Sequence, residues 1–339
     1  LELENSAVEF IKKFEISQSW WNDTLDEPVD VKEDMSPIRV DPEVELKEKD
    51  WTSIKIEEKT LQRGKVVIID GVRRTDTHLL LGNSGRSALL GEFVVGAFDL
   101  NEGRVTEREE AECIIVFPSG ILAEGPLLIG KAKYSPINAP ESNEESIYKT
   151  FIQKMREEEK DVAIELSKKG YTVIADGPLQ VPFSQVGVTL GFVKSIHRYY
   201  LTGKYWNTLI SLRKGERTPI FLIQTSEDLP PKYSWYLRLK DPQYFEPPLL
   251  GLVRLEAPYN LSLDEVKELA QFSGYLLPKL VSSTTLSNRA PENLAPLESL
   301  ERRLRAMFHP LDHIRVTLRR IIAEAHKEVN NGNRHSIRD

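Results

Sequence analysis

Residues 171–179 read YTVIADGPL and residues 65–72 read KVVIIDGV. Each is an apolar, strand-forming run that delivers an aspartate, Asp176 or Asp70, onto a glycine. A run of Val, Ile and Ala belongs in a buried strand, and an unpaired carboxylate at its end is costly without something positive nearby. In open α/β sheets, ligands collect at the carboxyl ends of strands. If the two strands are neighbours, the two carboxylates face each other and cannot both stay ionised without compensation. A divalent ion, Mn2+ or Mg2+, supplies that compensation. The plainer alternative is that each aspartate caps an Asp-Gly turn.

A third acid comes from the stretch between them. Residues 144–168, EESIYKTFIQKMREEEKDVAIELSK, read as one long helix closed by Lys168-Lys169-Gly170. Tyr148, Phe151, Met155, Val162 and Leu166 mark its apolar stripe. At about 100° per residue, Glu159 falls roughly 20° from the centre of that stripe and Glu158 about 80° away. Glu157 points to the opposite side. One of three consecutive glutamates therefore faces the core, where Glu is rarely left unpaired. The alternative is a glutamate snorkelling from the end of the stripe. A helix with an inward Glu, followed by a strand ending in Asp, is the arrangement of RNase H-like nucleases, whose acids clamp two divalent ions at a phosphodiester.

The rest of the chain reads as α/β with a mixed sheet. Residues 1–62 form an acidic, Pro-interrupted extension, with Trp20 and Trp21 anchoring it to the body or to a partner. KVVIID and THLLL read as two strands, followed by the turn GNSGRS and the strands EFVVGAFDL and ECIIVF. PIFLIQT, WYLRLKD and GLVRLEAP are three more, and 186–201, VGVTLGFVKSIHRYYL, reads as a helix. SLDEVKELAQFSG is a helix with Ser262 and Glu265 as its capping box. Two C-terminal helices follow, APLESLERRLRAMF and LDHIRVTLRRIIAEAHKEV, and 329–339 reads as a disordered tail.

Composition excludes little and directs little. The 339 residues are 40% hydrophobic and 29% charged, ordinary for a globular chain that buries a full core. A net charge of −7 does not advertise a nucleic-acid binder, although local patches and metal ions reverse a global sign. A single cysteine, Cys113, forbids an internal disulfide and a CxxC metal knuckle. No apolar run approaches the roughly 18 residues that span a bilayer, and no signal-peptide pattern opens the chain, so a cytoplasmic protein with no membrane partner is expected. P-loop, GxSxG and HExxH motifs are absent from the sequence. KSIHRYY, 194–200, interleaves basic and aromatic residues that suit phosphates and stacked bases, or an ordinary amphipathic helix. His309 and His313, beside Asp312, offer a metal ligand or proton shuttle as well as a plain surface role.

Seven segments, VVIIDGVRR, LLGEFVVGAFDL, MREEEKDVAIEL, VIADGPL, GFVKSIHRYYL, GLVRLEAP and APENLAPLESLERRLR, resemble in order the NurA nucleases, specifically their bacterial branch. They cover most of residues 60–325, and DGPL followed by GFVKSIHRYYL is the most specific part. The resemblance implies a Mn2+-dependent DNA nuclease with two ions, acting in end resection during double-strand break repair. It also implies a homodimer that works with the hexameric HerA ATPase. Carried over, the family's acids fall on Asp70, Glu159 and Asp176. Arg73, Arg74, Lys194, His197, Arg198 and Tyr200 become candidate DNA contacts. One departure is clear: archaeal members place a histidine after a Tyr-Pro segment, where this chain has GYLLPKLVSSTTLSN. Either His309 serves as the further ligand or the site differs in metal occupancy.

The expectation is an α/β protein whose RNase H-like core, a mixed sheet flanked by helices, spans 63–328, with the N-terminal extension before it and C-terminal helices closing it. The expected activity is metal-dependent hydrolysis of DNA. The rivals are a non-catalytic RNase H-like adaptor that binds DNA and caps an ATPase ring, and a nuclease or nucleotidyl enzyme for RNA, since no reader of the 2′-hydroxyl is visible. An outward-facing Glu159 would favour the adaptor.

Overall fold

The two Asp-Gly runs do become neighbouring strands. The computed structural model describes residues 2–18, 39–56, 64–82, 85–107, 110–121, 123–179, 188–194, 196, 199–225, 227, 230–282 and 292–335; Trp20, Trp21, His197 and Arg198 lie outside them. The helices are Glu2–Lys13 (α1), Glu144–Lys168 (α2), Lys204–Ser211 (α3), Leu263–Leu276 (α4), Ala295–Arg305 (α5) and Leu311–His335 (α6). The first strands are Ile16–Gln18 (β1), Arg39–Asp41 (β2), Val66–Leu81 (β3), Arg86–Asp99 (β4), Arg104–Glu107 (β5), Glu112–Phe117 (β6), Leu127–Ile129 (β7) and Ala132–Asn138 (β8). After α2 come Thr172–Asp176 (β9), Thr189–Val193 (β10), Phe221–Gln224 (β11), Lys232–Arg238 (β12) and Leu252–Pro258 (β13).

All join one 13-stranded mixed sheet in the order β2-β11-β12-β13-β10-β9-β3-β4-β6-β8-β7, with β1 on β3 and β5 on β4. Its centre is the expected RNase H-like core. β3, β4 and β6 form an antiparallel meander. The chain then crosses through α2 to β9, which lies parallel to β3 on its other side, and β10 lies parallel to β9. Asn143 caps α2, accepting a hydrogen bond from the Ser146 N–H, and Lys168 closes its last turn. Phe151, Met155, Val162 and Leu166 of α2 pack on Ile69, Phe93 and Val95 on one face of the sheet. The other face carries α5, whose Leu300 and Leu304 meet Val72 and Val94, and also α4, α1 and α6. Ser262 and Glu265 make the expected capping box on α4.

Four sequence readings are corrected. KVVIID and THLLL are one 16-residue strand, because β4 pairs with it along nearly its whole length and its charged middle finds internal partners. That pairing slips by one residue between Thr75 and Thr77, leaving Asp76 as a bulge. Before the bulge, even-numbered Val72 faces α5; after it, odd-numbered Leu79 and Leu81 pack into the same helical layer, against α1 and α6. Part of 186–201, read as a helix, is strand β10: Thr189–Val193 is buried on both faces between β9 and β13. A short run that is apolar all round has no period to separate strand from helix. Residues 2–18, within the stretch read as an extension, belong to the core: Ala7, Phe10 and Ile11 of α1 pack with Ile314 and Leu318 of α6, and β1 pairs with β3. Finally, α6 continues to His335, through most of the expected tail. No helix among the described residues is long and apolar enough to cross a membrane.

Candidate metal centre

The parallel register that pairs Ile69 with Ala175 sets Asp70 beside Asp176 at the carboxyl end of β9. A third acid, Glu301, arrives from α5, and the ligand oxygens of Asp70, Asp176 and Glu301 all lie within 4.8 Å of one another. Leu300 and Leu304, docked on β3 and β4, fix that helix and so place Glu301. The Gly-Pro turn after Asp176 has its own fastenings. Gly177 takes φ +96°, a conformation that glycine alone enters cheaply, and its N–H donates to the Phe192 carbonyl at 2.8 Å. Two residues on, the Leu179 N–H donates to Glu256 Oε2 at 2.9 Å. Glu256 is itself buried and held by Lys232 at 3.1 Å and Arg254 at 3.0 Å. The strand therefore delivers its carboxylate into a pinned turn.

Lys194 follows β10, and its Nζ lies 2.8 Å from Asp176 Oδ2, 3.4 Å from Asn293 Oδ1 and 3.8 Å from Glu301 Oε1. This cation is part of the carboxylate site. Glu159 approaches from α2, on the opposite face of the sheet, and accepts a hydrogen bond from the Gly71 N–H. It can do so only because residue 71 is glycine: a Cβ there would sit 2.4 Å from Glu159 Oε1 and 3.1 Å from Met155 Sδ. The inward phase read for Glu159 is therefore observed. Glu157, by contrast, is exposed and lies 3.8 Å from Lys154.

Charge is packed tightly here. Burial holds the Asp70 carboxyl well above the usual carboxylate range, with Asp176, Glu159 and Glu301 adding to the rise and Lys194 opposing it. Glu159 is raised to about 7, first by burial and then by Asp176, against the pull of Arg156, Arg73 and the Gly71 N–H. Asp176 Oδ1 is buried and has no hydrogen-bond partner. An orphaned carboxylate oxygen among three further acids fits a hard divalent cation such as Mg2+ or Mn2+, which takes oxygen ligands.

The other sequence candidates sit elsewhere. Arg73 lies over the Tyr148 ring, with 6.0 Å to the centroid, on the α2 side. Arg74 is engaged inside the protein: Nε donates to Asp76 Oδ1 at 2.7 Å, and Nη2 lies 3.3 Å from Glu92 Oε1 and 2.8 Å from the His309 carbonyl. Tyr200 is buried, its N–H donating to the Tyr236 hydroxyl at 3.0 Å while Arg254 lies over its ring. His309 does not join Asp70 and Asp176. It stands with Glu92 and Cys113, because the loop between α5 and α6 carries it over β4 and β6. Burial and the charges of Glu92 and Asp76 push the Cys113 thiol up to about 12, which argues against a nucleophilic role. Burial and Glu92 likewise raise Asp76 to about 6.

Sequence reasoning missed Glu301 and the roles of Asn293 and Glu256. Glu301 stands four residues after Leu297, at the flank of the Leu297–Leu300–Leu304 stripe, and that position was the available signal. No protein-family model matches the chain, and no curated protein matches it. Among solved structures it is similar to the crystal structure of the NurA nuclease from Sulfolobus solfataricus, with 12% identity and a TM-score of 0.43 over 82% of this chain and 88% of that one.

Proposed function

We propose that the protein is a divalent-metal-dependent deoxyribonuclease. The observation that carries this reading is the meeting of Asp70, Asp176 and Glu301 within 4.8 Å at the carboxyl end of β9, in the centre of an RNase H-like core. Asp70, Asp176 and Glu301 would hold the metal, with Glu159 beside them. When bound, divalent ions supply charge neutralisation at the phosphodiester and activation of water. The chain's own groups do the rest. Glu256 and Gly177 orient Asp176, Gly71 admits Glu159, and Lys194 keeps an ammonium next to the carboxylates. The inward Glu159 favours this reading over the non-catalytic adaptor.

The finer assignment follows the sequence resemblance: a nuclease of bacterial NurA type, using two Mn2+ ions in end resection, as a homodimer working with a HerA-type hexameric ATPase. Labelled single- and double-stranded DNA, with RNA as control, tests the activity with Mn2+, with Mg2+ and with chelator. Metal-dependent loss of DNA substrate is expected; no cleavage under any condition would remove the nuclease reading. Light scattering, alone and with the ATPase, tests the assemblies.

Lys194→Met probes the site's internal cation. With no ammonium beside Asp176, the metal-free protein is expected to lose about 3 kcal/mol of stability. Mn2+ should then raise its Tm by more than it raises that of the wild type. Equal metal-induced shifts in thermal denaturation would take Lys194 out of the charge balance.

A further inference from the structure

We infer that Glu92, Cys113 and His309 form a second metal site, for one zinc-class divalent ion, distinct from the carboxylate centre and independent of the nuclease reading. Glu92 and Cys113 are direct cross-strand partners on β4 and β6, so their side chains leave the same face of the sheet side by side. The loop after α5 sets His309 over them. Its Nδ1 lies 3.3 Å from Glu92 Oε2 and 3.8 Å from Cys113 Sγ, and the three donor atoms lie within 4.8 Å of one another. Tetrahedral zinc, with bonds of about 2.0–2.2 Å to N or O and about 2.3 Å to S, places an O/N pair about 3.4 Å apart and an S/N pair about 3.6 Å apart. The two His309 separations are close to that spacing, and the Glu92 and Cys113 donors lie within 4.8 Å of each other.

The surroundings are those of a built site. Glu92 is fully buried, and its carboxylate is fixed by the His309 N–H at 3.0 Å, by Arg74 at 3.3 Å and by the Tyr134 hydroxyl at 3.4 Å. Such outer partners orient a ligating group. Tyr134 also donates to Asp76 Oδ2 at 2.7 Å. The His309 side chain is 30% exposed, which leaves a route from solvent and room for a water as fourth ligand. A mixed S, N and O set selects zinc over the hard ions that suit the all-oxygen centre. The two sites stand apart on the neighbouring strands β3 and β4: Gly96 pairs with Asp70, and Glu92 lies four residues along β4, about 13 Å away. An ion at Glu92, Cys113 and His309 would clamp the end of α5, and so the helix that carries Glu301, to the sheet.

The test is metal content by mass spectrometry of the full chain after dialysis, together with the absorption spectrum of the cobalt-substituted protein. The wild type is expected to retain one zinc and, with Co2+, to show thiolate-to-cobalt charge transfer. Cys113→Ser and His309→Ala should each lose the zinc, and Cys113→Ser also the charge-transfer band, whereas Asp70→Asn should keep both. A wild type that retains no zinc, or a cobalt form without the thiolate band, would overturn the site. If Cys113→Ser does not fold by circular dichroism, His309→Ala decides, because its side chain lies on a partly exposed loop. Zinc retained there at the wild-type level would also overturn the site.

Discussion

Asp70→Asn and Asp176→Asn are expected to cut metal-dependent cleavage of DNA by at least about 1,000-fold, because each removes a charge needed to hold the cation that stabilises the reacting phosphate. Asp70→Asn should also make the metal-free protein more stable than the wild type at about pH 8. The sign follows from burial. The folded state holds the Asp70 proton far more tightly than the unfolded chain does, so the carboxyl is raised well above its ordinary value. As pH rises through that interval the unfolded chain gives up the proton first, and stability falls. The amide never ionises and escapes the fall. The gap in Tm should therefore be small near about pH 3, below the carboxyl's ordinary value, where the folded and unfolded chains both hold the proton, and open as pH rises. Labelled-DNA assays and thermal denaturation in chelator measure the two halves. An active Asp70→Asn protein, or one less stable than the wild type at the higher pH, contradicts the site.

Glu159→Gln should lose roughly 100-fold to 1,000-fold of the activity. The amide oxygen keeps the hydrogen bond from the Gly71 N–H while the charge disappears, so the loss reads the charge. Without metal, the raised Glu159 contributes a second falling limb of stability, from the ordinary carboxylate range up to about pH 7, where it ionises in the folded state. Glu157→Gln should cleave almost normally, since Glu157 is exposed and its ion pair is with Lys154, at 3.8 Å. Gly71→Ala reaches the same acid by sterics. The added methyl would stand 2.4 Å from Glu159 Oε1, so the carboxylate must move. Activity should fall about as far as in Glu159→Gln, with a stability loss of about 1–3 kcal/mol from overpacking. A fully active Gly71→Ala protein would separate Glu159 from the chemistry.

Asp70, Asp176 and Glu159 were legible because each breaks a strong local rule. An acid closes a fully apolar run, or lies on the inward stripe of a long helix. Helix α2 was equally plain, with an apolar stripe and a basic close before Gly170. Glu301 broke no such rule. It belongs to a short helix ending in Arg302, Arg303 and Arg305, where one more charge looks like ordinary solvated surface. Only the docking of Leu300 and Leu304 turns it toward Asp70. Lys194 was hidden by the misread β10: on a helix it would decorate a face, whereas after a strand it falls at the same carboxyl end as Asp176. His309 was visible as a metal-binding residue type, but only the long-range pairing of β4 with β6 shows which donors it meets.

The single extra residue in β3 has a consequence for how this chain can change in length. Asp70 and Leu79 are nine positions apart, an odd count, yet the bulge at Asp76 keeps both in the layer of α5, α6 and α1. A regular strand alternates, so an odd step would turn one of them away. The residue count between the acid and the α1–α6 contact is therefore a parity condition. Insertions are tolerable after Leu81, where β3 ends and added residues need not shift its pairing with β4. Between Arg74 and Thr77, one residue more or fewer would exchange inside for outside along Thr77–Leu81, the end of the strand that pairs with β1. Substitutions on either side of Asp76 remain free to drift separately, provided the odd step is kept.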